Sequence, residues 1–166
     1  MANADKPFGF KFAYTLHGGP PKIGKYKNTA VAIYPGDAVH LDGSGRVNSI
    51  TGDDAPNGVA LNYVSSTADQ AVYVYDDLVN TIFEVQCDED DLADDTVIGN
   101  YYDVIQTTGD TSILRSKHEL DSSDSTHDHL EVMGLVDRPD NAWGANAKVY
   151  VRFHVNDRVQ IAAKTA

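Results

Sequence analysis

The chain has 166 residues, of which 25 are acidic and 13 are basic, and its net charge is −12. This charge excludes a nucleic-acid grip over most of the surface, because phosphate contacts require clustered Lys and Arg side chains. A single cysteine, Cys87, excludes an intramolecular disulfide, so we expect folding in a reducing cytoplasm. Met1–Thr15 lacks the apolar run of a signal peptide and no stretch approaches about 20 apolar residues, so we expect no membrane partner.

The N-terminal segment differs from the rest of the chain in charge. Residues 1–27 carry five lysines and one aspartate, a local charge of +4 that leaves −16 on the remainder. Residues 16–28 contain three glycines, two prolines and three lysines, a composition that disfavours regular structure. We therefore predict an extended basic arm over residues 1–28, with a first strand near Phe8–Thr15, that reaches an acidic neighbour.

Short runs of β-branched and aromatic residues recur after the arm, separated by Gly, Asn, Asp and Pro, and no stretch sustains a helical apolar period. Such a pattern is typical of an all-β fold. It predicts an antiparallel β-barrel or β-tulip-like sandwich of about ten short strands, with residues 29–166 as a single domain. Beyond the first strand, the predicted strands are Thr29–Ile33, Ala38–Leu41, Val47–Thr51, Gly58–Val64, Ala71–Tyr75, Thr81–Cys87, Tyr101–Gln106, Ser112–Leu114, Leu130–Val136 and Ala147–Val155.

Turn residues support this division. Pro35-Gly36-Asp37 suits a turn, and Asp42-Gly43-Ser44-Gly45 suits the tip of a hairpin between two short strands. Asn57–Leu61 is largely apolar, as expected of a strand buried on both faces. Asp88–Asp94 is predicted either as the only short helix or, equally, as an acidic loop, and the polar run from Leu120 to Asp128 is predicted as an exposed loop.

No residue is predicted to be catalytic. Cys87 precedes four acidic residues, which raise a thiol pKa, so we interpret it as structural. His118, His127 and His129 lie among aspartates, and the spacing of the last two weakly resembles a metal pair, but a solvated loop is favoured. The acidic run at 88–95 has enough carboxylates for Ca²⁺ yet lacks a known loop order, so a solvated acidic face is favoured. We predict neither a metal nor a cofactor, and no enzyme.

Three stretches resemble a group of tailed-phage head proteins known as decoration, cement or minor structural proteins. They are Tyr34–Leu41, with its Pro-Gly-Asp turn before a strand; Asn57–Leu61; and Met133–Ala147, with its Arg-Pro turn and Trp143 before the last strand. The likeness spans residues 30–155 and rests on turn-and-strand signatures.

The resemblance implies a β-barrel or β-tulip-like virion protein that binds the outer surface of an assembled capsid, often as a homotrimer, without an active site. Its partners would be further copies of itself and the major capsid protein, and it would be made in the host cytoplasm. We expect the contacts with the capsid or between subunits to come from the arm, through Lys22, Ile23, Lys25, Tyr26 and Lys27. Trp143 is expected to anchor either the core or an interface.

Two other functions stay open. Nine tyrosines, one tryptophan and the acidic run are compatible with a carbohydrate-binding module or a Ca²⁺-dependent adhesin. A small hydrolase using residues 118–129 is the less favoured alternative.

Overall fold

The computed structural model describes residues 3–52, 54–88 and 92–154. The fold is all-β, which confirms the predicted fold class. One short 3-10 helix, Asp95–Val97, accompanies the strands. The strands are β1 (Lys11–Thr15), β2 (Ile23–Asn28), β3 (Ala38–Leu41), β4 (Arg46–Ser49), β5 (Gly58–Ala60), β6 (Ala71–Tyr75), β7 (Thr81–Gln86), β8 (Tyr101–Ile105), β9 (Glu119–Asp121), β10 (Leu130–Leu135) and β11 (Lys148–Phe153).

The strands form two units, an open sheet and a closed barrel. A six-stranded sheet has the order β1-β7-β11-β10-β8-β9, and its neighbouring strands run antiparallel. The other five strands close a small barrel in the order β2-β4-β3-β5-β6, closed by the β2–β6 pair. Because all barrel strands lie between β1 and β7, the barrel is an insertion into the sheet.

Each unit has its own apolar core. The sheet packs its inner face around the rings of Phe10, Phe83 and Phe153, whereas the barrel interior is filled by aliphatic side chains. β5 serves both units, since Val59 belongs to the sheet core and Ala60 to the barrel core. The apolar run Asn57–Leu61 predicted a strand buried on both faces, and β5 is buried in this way. The strand is shorter than the predicted Gly58–Val64.

Backbone hydrogen bonds fasten the two units together. Phe10 N–H donates to the Gly36 carbonyl at 2.9 Å, and Gly36 N–H donates to the Ala60 carbonyl at 2.8 Å. Gly9 just before this contact has φ +72°, and a Cβ there would lie 2.4 Å from Ser116 Cβ and 2.7 Å from the Gly36 carbonyl. Only glycine allows so close an approach in this backbone conformation.

Most of the predicted strands are confirmed to within a few residues, and the hairpin tip at 42–45 joins β3 to β4. Two predictions are wrong. Thr29–Ile33 and Ser112–Leu114 contain no strand, and the latter is a turn in which Asp110 accepts from Ser112. The strand that follows this turn, β9, lies within a segment predicted in part as a loop. The end of the last predicted strand, Val155, lies outside the described residues.

The structure also corrects the prediction of an extended arm over residues 16–28. Ile23–Asn28 is strand β2, which pairs with β6 over five residues and with β4 in parallel. The physical reason is non-local: the polar composition of this strand suits an exposed barrel wall, and its hydrogen bonds come from strands that follow it in the chain. The first strand was expected near Phe8–Thr15, and β1 confirms it.

The acidic run forms no α-helix in its described part. Asp94 caps the 3-10 helix by accepting a hydrogen bond from Thr96 N–H at 2.9 Å, and residues 89–91 of the predicted helix or loop lie outside the described residues. Across 3–52, 54–88 and 92–154, no helix has the length and apolar character that crossing a membrane requires.

Candidate binding surfaces

The outer wall of the barrel carries most of the residues that the sequence singled out. In the β2–β6 pair, Lys25 lies opposite Tyr73 and Lys27 lies opposite Ala71. Because side chains alternate along a strand, these residues and Ile23 point outward together, and all five are exposed. We call Ile23, Lys25, Lys27, Ala71 and Tyr73 the barrel face.

Ion pairs border the barrel face. Lys22 Nζ lies 3.3 Å from Asp76 Oδ1, and Lys27 Nζ lies 3.8 Å from Asp69 Oδ1. The guanidinium of Arg46 hydrogen-bonds the same Asp69 carboxylate and holds its pKa below the ordinary value. The lysines of these pairs are exposed, so the pairs contribute little stability, but they neutralise Lys22 and Lys27.

Two apolar side chains of the barrel face are left in solvent. Ile23 is 50% exposed and Tyr73 is 44% exposed. Lys25 Nζ lies 6.0 Å from the centroid of the Tyr73 ring, within the range of a weak cation–π contact. No ion pair of Lys25 occurs among the described residues. The barrel face thus combines exposed apolar side chains, a lysine without an ion pair among the described residues, and ion pairs at its border. This combination resembles the anatomy of a protein interface.

The two aromatic residues predicted as contacts lie in different surroundings. Tyr26 alternates to the inner side of β2, where its ring packs against the barrel core and its hydroxyl hydrogen-bonds Asp76 Oδ2 at 3.2 Å. Trp143 is half-buried and packs against the core of the six-stranded sheet. The structure therefore places Ile23 to Lys27 on one strand, with Lys22 directly before it, and places Trp143 in the other unit.

A second surface was not predicted from the sequence. A groove with a volume of about 580 Å³ lies where the N-terminal segment, the barrel and the six-stranded sheet meet. We call it the junction groove. It is lined by Lys6, Phe8, Phe10, Lys11, Phe12, Pro35, Gly36, Ala60, Leu61, Tyr75, Glu84, Arg115, Arg138 and Lys148.

The junction groove opposes the charge of the whole chain. Five of the 13 basic residues line it, with only one of the 25 acidic residues. The acidic residue is Glu84, whose side chain is 7% exposed and whose Oε2 accepts from Arg138 Nη2 at 2.8 Å. Its other oxygen, Oε1, is buried and has no hydrogen-bond partner among the described residues.

His118 could be mistaken for part of a catalytic triad. Its Nε2 lies 3.4 Å from Ser49 Oγ and 3.5 Å from Asp37 Oδ1, while its Nδ1 accepts from Ala38 N–H at 3.2 Å. A triad needs the serine and the carboxylate on opposite ring nitrogens, which this geometry does not provide. Burial lowers the pKa of His118 against the opposing effect of Asp37, so the neutral ring is favoured. Its observed contacts fasten the sheet to the barrel.

The other two histidines of the region share one carboxylate. His127 Nδ1 lies 3.0 Å from Asp103 Oδ2, and His129 Nδ1 lies 3.7 Å from Asp103 Oδ1. The two imidazole rings stack at 5.5 Å. Among the residues that the structure describes, no group of three or more His, Cys, Asp or Glu is arranged to hold a metal ion.

Cys87 is buried and its Sγ lies 3.6 Å from the Gly144 carbonyl. Burial, with smaller contributions from Asp88 and Glu119, raises the pKa of the thiol to about 12. A thiol that stays protonated is a poor nucleophile. Of the four acidic residues that follow Cys87 in the sequence, Asp88 acts in the expected direction, but burial is the larger cause.

No protein-family model matches the sequence, and no curated protein matches it significantly.

Proposed function

We propose that this chain is a structural protein of a tailed-phage virion, a decoration or cement protein that binds the outside of the capsid. The observation that carries the proposal is the barrel face, where Ile23 and Tyr73 remain half-exposed beside Lys25, which has no ion pair with any residue that the structure describes. Support also comes from the resemblance of the turns at 34–41 and 133–147 to head proteins of this kind. Both turns join strands of the observed all-β fold.

In this proposal the chain acts as a homotrimer that contacts several copies of the major capsid protein. Three copies of a modest contact, held together, give tight attachment through a high effective concentration. A protein that binds only the assembled shell stabilises it by mass action. The barrel face contacts the capsid. Because the net charge of the chain is −12, an acidic capsid surface is approached best by a patch of this chain where lysines are concentrated, as they are on the barrel face.

The test uses heads of the phage that encodes this chain, assembled without it. Purified protein is added, unbound protein is removed by sedimentation, and the bound copies are measured against protein concentration. We expect saturable binding, a solution mass of three chains by light scattering, and heads that resist heat better when decorated. A protein that stays monomeric and does not bind these heads would overturn the proposal.

Substitution at the barrel face locates the contact. Ile23→Asp with Tyr73→Ser places a charge on the barrel face and removes its aromatic ring, so affinity for heads should fall by roughly tenfold or more. Ile98→Asp is the matched control, because Ile98 is 48% exposed but lies beside the 3-10 helix. Equal losses in both variants would show that the barrel face is not the contact.

A further inference from the structure

We propose that the junction groove is a binding site for an extended acidic peptide segment that carries aromatic side chains. This site is separate from the barrel face, and its occupant need not be a capsid protein. Three features of the groove support this occupant: its excess of cations, its apolar lining and the packing of its aromatic rings.

The charge of the groove is not balanced from within the protein. Lys6, Lys11, Arg115 and Lys148 line it and form no ion pair among the described residues, although the chain has almost twice as many acidic as basic residues. Each of these cations attracts a ligand of opposite charge. The complementary ligand is therefore anionic and contacts several cations at once.

The apolar lining adds a second requirement. Phe8, Phe12, Leu61 and Tyr75 line the groove and are half-buried, so each keeps apolar surface in contact with solvent. A volume of about 580 Å³ lies in the range of ligand-binding pockets and accommodates large side chains. Filling this space with an aromatic ring removes apolar surface from water on both partners. An inorganic anion would leave it empty.

The packing of the rings distinguishes a peptide from a nucleic acid. Phe12 stacks on Tyr75 at 5.5 Å and Phe10 is buried in the core, so these rings offer no series of free faces. A single-stranded nucleic acid needs free ring faces on which its successive bases stack. A peptide supplies carboxylates for the cations and single aromatic side chains for the apolar lining. The one acidic residue in the lining, Glu84, is already paired with Arg138, so it does not occupy the other four cations.

The experiment measures binding of short fluorescent peptides to the full chain by anisotropy. The probe alternates glutamate and phenylalanine. One control peptide replaces glutamate by glutamine, and another replaces phenylalanine by alanine. We expect the probe to bind at least roughly tenfold more tightly than either control, because each control removes one of the two complementary features. Labelled oligothymidylate tests the nucleic-acid alternative.

Matched protein variants place the site. Arg115→Gln with Lys148→Gln removes two groove cations that make no ion pair within the described part of the chain, so the fold is retained and the affinity for the probe falls by roughly tenfold. Lys25→Gln with Lys27→Gln removes the same charge from the barrel face and should change the affinity by less than roughly twofold. Circular dichroism and thermal melting confirm folding of each variant.

Each contrary outcome overturns the proposal. Absence of probe binding excludes the peptide site, and equal losses in the two double variants reduce the effect to overall charge. If oligothymidylate bound more tightly than the probe, and Arg115→Gln with Lys148→Gln abolished that binding, the groove would be assigned to nucleic acid instead. None of these results bears on attachment to heads through the barrel face, so the two proposals are tested independently.

Discussion

The barrel and the six-stranded sheet solve the same packing problem with different side chains. The buried residues of the barrel core are Ile33, Val39, Val47, Ala60, Val64, Val72 and Val74, whereas the sheet core contains three phenylalanines. A closed barrel of five strands has a narrow interior that fills with aliphatic groups, while an open sheet covered on one face has room for rings. The size of the enclosed space, set by strand number and closure, selects the core residues.

The two units also differ in how far apart their partners lie in the sequence. All barrel strands come from residues 23–75, so its pairs are comparatively local. The sheet must pair β1 with β7 across the whole barrel. Contacts between distant segments cost more loop-closure entropy and slow folding. The sheet therefore depends on a strong core to hold its N-terminal strand.

The largest effect is expected from Phe83→Ala. Phe83 is fully buried and its ring contacts those of Phe10, Tyr75 and Phe153. Removing it should lower the free energy of unfolding by about 4 kcal/mol, from lost burial and the cavity left behind. Val72→Ala in the barrel core is the comparison, with an expected loss of about 2 kcal/mol. Urea titration followed by circular dichroism measures both losses.

The same titrations test whether the two units unfold together. β5 contributes Val59 to the sheet core and Ala60 to the barrel core, so weakening either unit should weaken both. Trp143, the single tryptophan, packs against the sheet core and reports on that unit, while circular dichroism reports on all strands. We expect a single unfolding transition with the same midpoint by tryptophan fluorescence and by circular dichroism. Separate transitions in Val72→Ala would show that the barrel is an independent domain.

The next largest effect is expected where the N-terminal segment crosses the barrel. Gly9→Ala combines a positive φ with a Cβ that would lie 2.7 Å from the Gly36 carbonyl. We expect a loss of about 3 kcal/mol from the clash and the backbone conformation together. Gly43→Ala is the control, because Gly43 has φ +79° but nothing within 4 Å of the added Cβ. Its loss should be about 1 kcal/mol, so equal losses would exclude the clash as the cause.

How well each strand could be predicted from the sequence depends on where its stabilising contacts come from. Ala38–Leu41 and Ala71–Tyr75 were predicted with the observed bounds, because strong β-formers lie between clear turns. β2 was missed because Lys22, Gly24 and Lys25 resemble a loop, and its stability comes from pairing with β6. Short-range patterns do not contain that information.

The binding surfaces divide in a similar way. The basic composition near residue 25 identified the lysines of the barrel face, but the position of Tyr73 beside Lys25 depends on strand register. The junction groove had no sequence signal, because Lys6, Arg115 and Lys148 are far apart in the chain and only the fold brings them together.

The smallest effect concerns pH and lies in the sheet. Burial first, then the charges of Asp5 and Asp88, raises the pKa of Glu119 from 4.5 to about 7. Between these two pH values the folded state holds a proton that the unfolded state has lost. The stability that comes from the protonated carboxyl is therefore present below pH 4.5 and lost as the pH rises through 7.

Glu119→Gln keeps the neutral form and should be more stable than the native protein at pH 8 by about 1 kcal/mol, allowing for solvent screening, with no difference at pH 4. Urea titrations across this range measure the difference in stability between the two proteins. Burial lowers the pKa of His118, which changes stability with pH in the opposite direction, but this change is the same in both proteins and cancels in the difference. Asp140→Asn removes an exposed charge as a control, and a gain at pH 8 as large as that of Glu119→Gln would attribute the effect to net charge.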